Sequence, residues 1–144
     1  MCTNFVHFYI AQVKETEDKS MKKIHTNNAP AAIGPYSQAI ACGDFLFTSG
    51  QIGMNPENGE VVPGGIKAQA ERALQNLLAI IEEAGSDASK IVKTTCFLAD
   101  MADFAAFNEV YATYIPNAPA RSCVAVRELP KSVLCEVEAG VYVK

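Results

Sequence analysis

The chain has 144 residues, 49% of them apolar and 19% charged, enough for one domain with a real core. Its 12 basic and 16 acidic side chains leave a net charge of −4, and the longest basic run is Lys22-Lys23. That argues against nucleic acid, which needs clustered Lys and Arg, and no apolar run approaches the length of a membrane span.

Residues 1–20 differ in character from the rest of the chain. Phe5-Val6-His7-Phe8-Tyr9-Ile10 is apolar and aromatic, and Lys14 to Lys19 is charged. The segment lacks the basic start and small-residue cleavage site of a signal peptide, and it carries acids that a transit peptide avoids. We read it as an extension outside the functional unit, with the folded domain covering 21–144.

Ile24 to Thr26 opens that domain as a short strand candidate. Asn27 to Pro30 and Gly34-Pro35 are turn signals. Tyr36 to Ala41 and Phe45 to Thr48 read as strands joined through Cys42-Gly43-Asp44, a short hairpin connection. Asn55 to Gly59 is a turn, and Pro63-Gly64-Gly65 ends the loop. The period then becomes helical: Ile66, Ala70, Ala73, Leu74, Leu77, Ile81 and Ala84 form a stripe, with Gln69 and most charged residues away from it. Gly85 is the stop. Ile91 to Leu98 alternates as a strand. Asp100 can cap the next helix, whose stripe of Phe104, Phe107, Tyr111 and Tyr114 reads as core packing and which Pro116 closes. Arg121 to Val126 and Leu134 to Val143 are the last two strands.

The pattern is β-β-β-α-β-α-β-β. Two helices cannot cover both faces of so wide a sheet, so both are expected on one. The other face is semi-apolar, which predicts an oligomer. The five cysteines, at 2, 42, 96, 123 and 135, are odd in number and show no Cys-x-x-Cys spacing. They read as buried reduced thiols of a reducing compartment, the cytoplasm. His7 and His25 lie outside any ligand spacing, so no metal site is expected.

Arg121 is the residue that asks for a function. Its guanidinium is charged at any accessible pH and sits in an apolar strand, Pro119-Ala120-Arg121-Ser122-Cys123-Val124. Glu136 interrupts the next apolar strand. The two are either a structural ion pair or a site. Cys123 shares the parity of Arg121 and is expected to line the same pocket. With no histidine at hand it reads as a wall and not a thiolate.

From Met21 to Lys144 the chain resembles the RidA family, also called YjgF. Four pieces carry the resemblance: Ala32-Ile33-Gly34-Pro35-Tyr36-Ser37-Gln38-Ala39, Thr48-Ser49-Gly50-Gln51, Pro119 to Val124, and Cys135-Glu136-Val137-Glu138-Ala139. It implies a chorismate-mutase-like α+β fold, with a mixed sheet and two helices on one face. It also implies a homotrimer with sites in clefts between subunits. The implied activity is cofactor-free hydrolysis of 2-imino acids, or their enamine tautomers, to 2-oxo acids and ammonia.

In that chemistry Arg121 grips the substrate carboxylate through two charge-assisted hydrogen bonds. Glu136 holds or activates water and shuttles a proton. By resemblance Tyr36, Ser49, Gly50 and Asn108 also meet the substrate. Gly140 departs from the family, whose members commonly carry a bulky aliphatic residue there; it marks a bulge or looser packing. The alternatives are a regulatory trimer that binds a small carboxylate without turnover and an RNA-cleaving translation inhibitor. Acidic balance and the lack of central histidines count against the latter.

Overall fold

A computed structural model describes residues 21–144; the extension expected over 1–20 lies outside them. The chain runs β1 (Met21–Ile24), β2 (Ala39–Cys42), β3 (Phe45–Thr48), β4 (Gln51–Ile52), α1 (Gly65–Glu83), β5 (Ile91–Leu98), α2 (Phe104–Tyr114), β6 (Ala120–Ala125) and β7 (Cys135–Tyr142). The strands form one sheet in the order β1-β2-β3-β7-β5-β6, and β4 also pairs with β7. Only β5 and β6 run parallel, so the sheet is mixed. β4, two residues long, is the strand that alternation could not reveal.

Both helices lie on one face, as expected. Leu46, Leu98, Val137 and Val141 from the sheet pack with Leu74, Leu77 and Ile81 of α1 and Phe107 of α2. Each such burial contributes about 1.5–3 kcal/mol. Helix α1 stops at Gly85, whose φ of 81° suits a residue without a Cβ. The Ser86 N–H donates to Ile81 O at 3.1 Å and the Gly85 N–H to Glu82 O at 2.9 Å, which satisfies the last carbonyls. Asp100 accepts from the Ala102 N–H at 2.8 Å, so it caps the 3-10 turn Met101–Asp103 that leads into α2 and not α2 itself.

Two register breaks shape the centre of the sheet. In β5, Ile91 pairs with Val141 and Lys93 with Gly140, so Val92 is an extra residue. The irregularity expected at Gly140 therefore falls on the opposite strand. Along the other side of β7, Phe47 pairs with Gly140 but Gln51 with Val137, which inserts one residue between β3 and β4. The Thr48 side chain bridges that break, its Oγ1 accepting from the Ala139 N–H at 3.0 Å.

The face away from the helices is open. Phe45, Phe47, Val92 and Tyr142 are 39–58% exposed, and the Phe45 and Tyr142 rings meet edge to face at 5.8 Å. Among the described residues β6 is a free sheet edge, and no helix is long and apolar enough to cross a membrane.

Candidate functional site

The predicted residues fall into two groups. The first gathers where β6 meets α2. Arg121 is in register with Thr94 of β5, and Thr94 is buried against α2, its Oγ1 2.7 Å from the Tyr111 hydroxyl. Residues opposite each other in a ladder share a face, so Arg121 also emerges on the helix side. Its Nη1 donates to Asn108 Oδ1 at 2.8 Å. Its guanidinium carbon lies 4.8 Å from the Tyr111 ring centre and 5.6 Å from that of Phe104. These rings hold the cation without neutralising it. Among the described residues the ion pairs are Lys67–Glu109 and Lys144–Asp44, so Arg121 has no carboxylate of its own there. A groove of about 470 Å³ opens beside it, lined by Asn108, Tyr111, Ile115, Pro119 and Arg121 among others.

Cys123 shares the face of Arg121 but does not line this groove, contrary to expectation. It is in register with Cys96 and packs at the margin of the core. Burial pushes its thiol up, and the Arg121 charge offsets that only in part. Cys96 and Cys135, deeper in the core, are pushed up to about 12, chiefly by burial. All three favour the protonated thiol.

The second group surrounds Glu136. It lines a cavity of about 590 Å³ with Tyr36, Ser49, Gly50, Met54 and Glu138. Its carboxylate lies directly over Gly50: a Cβ at residue 50 would overlap it and push the Glu136 side chain out of this position. Burial raises the Glu136 pKa first, and the like charge of Glu138 raises it further. The Ser49 hydroxyl donates to Ser37 O at 2.6 Å, so its proton is committed. The Tyr36 hydroxyl accepts from the Ile33 N–H at 3.3 Å and keeps its own proton to give. Tyr36 is half exposed at the mouth.

Gln38 belongs to the motif Ala32 to Ala39 but had no assigned role. It is buried; its Nε2 donates to Thr26 O and Pro30 O at 3.0 and 2.8 Å, and its Oε1 accepts from the Thr26 N–H at 2.7 Å. It thus fixes the strap that forms the cavity rim. Tyr111 and Phe104 were also missed as partners of Arg121. The signal was the aromatic stripe itself, which brackets Asn108 on the same helix.

The two groups do not meet within the chain. Arg121 aligns with Thr94, and Thr94 with Ala139, all on the helix side. Glu136 aligns with Phe97 and points to the other face. β5 also lies between β6 and β7. The structural ion pair, the simpler alternative for these residues, is therefore not formed, and strand pairing within one protomer does not bring Glu136 to Arg121. Among the described residues there is no group of three or more His, Cys, Asp or Glu that could hold a metal.

Comparison with known proteins fits this architecture. The family model described as endoribonuclease L-PSP matches residues 26–143. A RutC family protein of Pasteurella multocida is 54% identical over 123 residues, covering 82% of this chain and 95% of that protein. A rat protein named 2-iminobutanoate/2-iminopropanoate deaminase is 50% identical over 119 residues, covering 82% of this chain and 87% of the relative. Among solved structures, E. coli TdcF with bound serine superposes with a TM-score of 0.82 at 43% identity, covering 85% of this chain and 99% of that one. On these grounds the chain belongs to the endoribonuclease L-PSP family, the RidA family whose motifs it carries.

Proposed function

We propose that the protein is a cofactor-independent deaminase that hydrolyses small 2-imino acids, or their enamine tautomers, to 2-oxo acids and ammonia. The observation that carries this reading is the division of labour between the two groups. One offers a cation with most of its donors uncommitted among the described residues, held on aromatic rings beside a groove. The other offers a carboxyl with a raised pKa inside a cavity. Each lacks what the other has. The rat relative's name and the serine bound to TdcF, an amino acid with the same carboxylate, support the substrate class.

The halves join between protomers of a homotrimer, the open apolar face and the free β6 edge supplying the contact surface. Arg121 then clamps the substrate carboxylate, with Asn108 fixing the fork. The Gly50 amide and the Tyr36 hydroxyl steady the substrate on the opposite wall. Water attacks the protonated imine carbon while Glu136 takes one of its protons. Glu136 passes that proton to the carbinolamine nitrogen and accepts the hydroxyl proton as the C–N bond breaks. A 2-oxo acid forms, and the departing ammonia takes the proton from Glu136, leaving as ammonium and restoring the carboxylate.

An RNA-cleaving role, suggested by the family description, has less support. His25, the histidine among the described residues, lines neither cavity, and the net charge is −4. The deciding experiment couples a threonine dehydratase to the protein in the presence of a trap that captures free imine. Faster release of 2-oxobutanoate is expected; no acceleration at any protein concentration would overturn the proposal.

A further inference from the structure

The geometry points to Asn76 as the residue that positions Glu136, an inference that rests on the deaminase reading. Asn76 belongs to α1, is fully buried and lines neither cavity. Its Nδ2 donates to two carbonyls, Ile52 O at 3.0 Å and Met54 O at 2.8 Å. Both partners are acceptors, so only the amide nitrogen can face them. Between them the chain turns tightly, the Met54 N–H donating to Ile52 O at 2.8 Å. Gly53 at the apex is pressed onto the helix: a Cβ there would lie 2.6 Å from Gln69 Cα.

Gln69 makes the matching tether. Its Oε1 accepts from the Leu134 N–H at 2.8 Å, just before β7 begins. Ile52 is in register with Glu136, and Ile52 and Met54 form part of the wall of its cavity. Two buried amides on one helix thus hold both stretches that bracket the carboxyl. Neither was legible as a site residue, because neither touches the cavity.

Among the described residues, Asn76 Oδ1 has no protein hydrogen-bond partner, so the amide is held through its nitrogen. What an apolar residue of this size cannot do is grip two carbonyls two residues apart, and that grip fixes the kink on which the Glu136 wall depends.

The test is Asn76→Ala in the coupled assay. We expect kcat to fall about tenfold with KM changed less than twofold. The limb of the kcat profile set by Glu136 should move to lower pH, because a loosened wall admits water to a carboxyl now flanked by Glu138. In a Glu136→Gln background the same substitution should add no further loss. Asn76→Ser, which keeps one donor, should fall between the two and supplies the same readouts should the alanine variant not fold. Wild-type kcat and pH limb in a folded variant, a fully additive loss in the double variant, or failure of both variants to fold would each overturn the inference. An inactive wild-type chain would instead overturn the deaminase reading.

Discussion

The Arg121 groove and the Glu136 cavity solve opposite problems. Arg121 keeps a charge available by packing it on Tyr111 and Phe104 and giving up one donor to Asn108. Glu136 is held where charge is disfavoured, by burial and by Glu138. A fixed cation suits binding; a carboxyl pushed toward neutrality suits proton transfer. The sheet keeps them on opposite faces, so neither quenches the other within a protomer. On the proposed reading, that separation lets each protomer offer one half of a site to its neighbour.

The contrast predicts different kinetic signatures. Glu136→Gln should have the largest effect, lowering kcat by about 10²–10³-fold with KM little changed; single-turnover measurements at saturating substrate check it. Arg121→Ala should lower kcat/KM by about 30–100-fold, from about 2–3 kcal/mol of lost anchoring, with much of the change in KM. A KM like that of the wild type would break the assignment of carboxylate binding to this residue. Mixing the two impaired variants after dissociation and reassembly should restore about a quarter of the sites, since each variant contributes its intact half. No recovery despite proven exchange of subunits would mean that the halves do not meet between chains.

Smaller effects test the electrostatics. The raised pKa of Glu136 means that its ionised form is disfavoured by folding. Its contribution is fully present below the unfolded carboxyl pKa and is lost as pH rises through the folded value. Glu136→Gln should therefore melt with the wild type at about pH 4 and above it at about pH 8, and thermal denaturation at the two pH values shows whether it does. Cys123→Ser should keep activity within about threefold, since a thiol raised by burial is no nucleophile. Abolished turnover in a folded serine variant would reopen the thiolate.

What was legible in the sequence was what repeats locally. The stripe of α1, the alternation of β5 and the stop at Gly85 each involve many residues or one strong signal, and the structure follows them. Arg121 was legible because a charge in an apolar strand needs an explanation. β4 was not, being two residues long. Gln69 and Asn76 read as ordinary helix polar residues, because their partners, Leu134, Ile52 and Met54, are distant in the chain. The opposite facing of Arg121 and Glu136 was invisible for a topological reason: β5, earlier in sequence, inserts between two strands that are consecutive in the chain.

The single extra residue between β3 and β4 has a wider consequence. A strand counts in twos, so an odd insertion exchanges inward and outward side chains for everything beyond it. Deleting one residue at Ser49 or Gly50 would remove a wall residue and also turn the β4 side chains to the opposite face. In such a fold, gaining or losing one link of chain reshapes chemistry more abruptly than any exchange of side chains can.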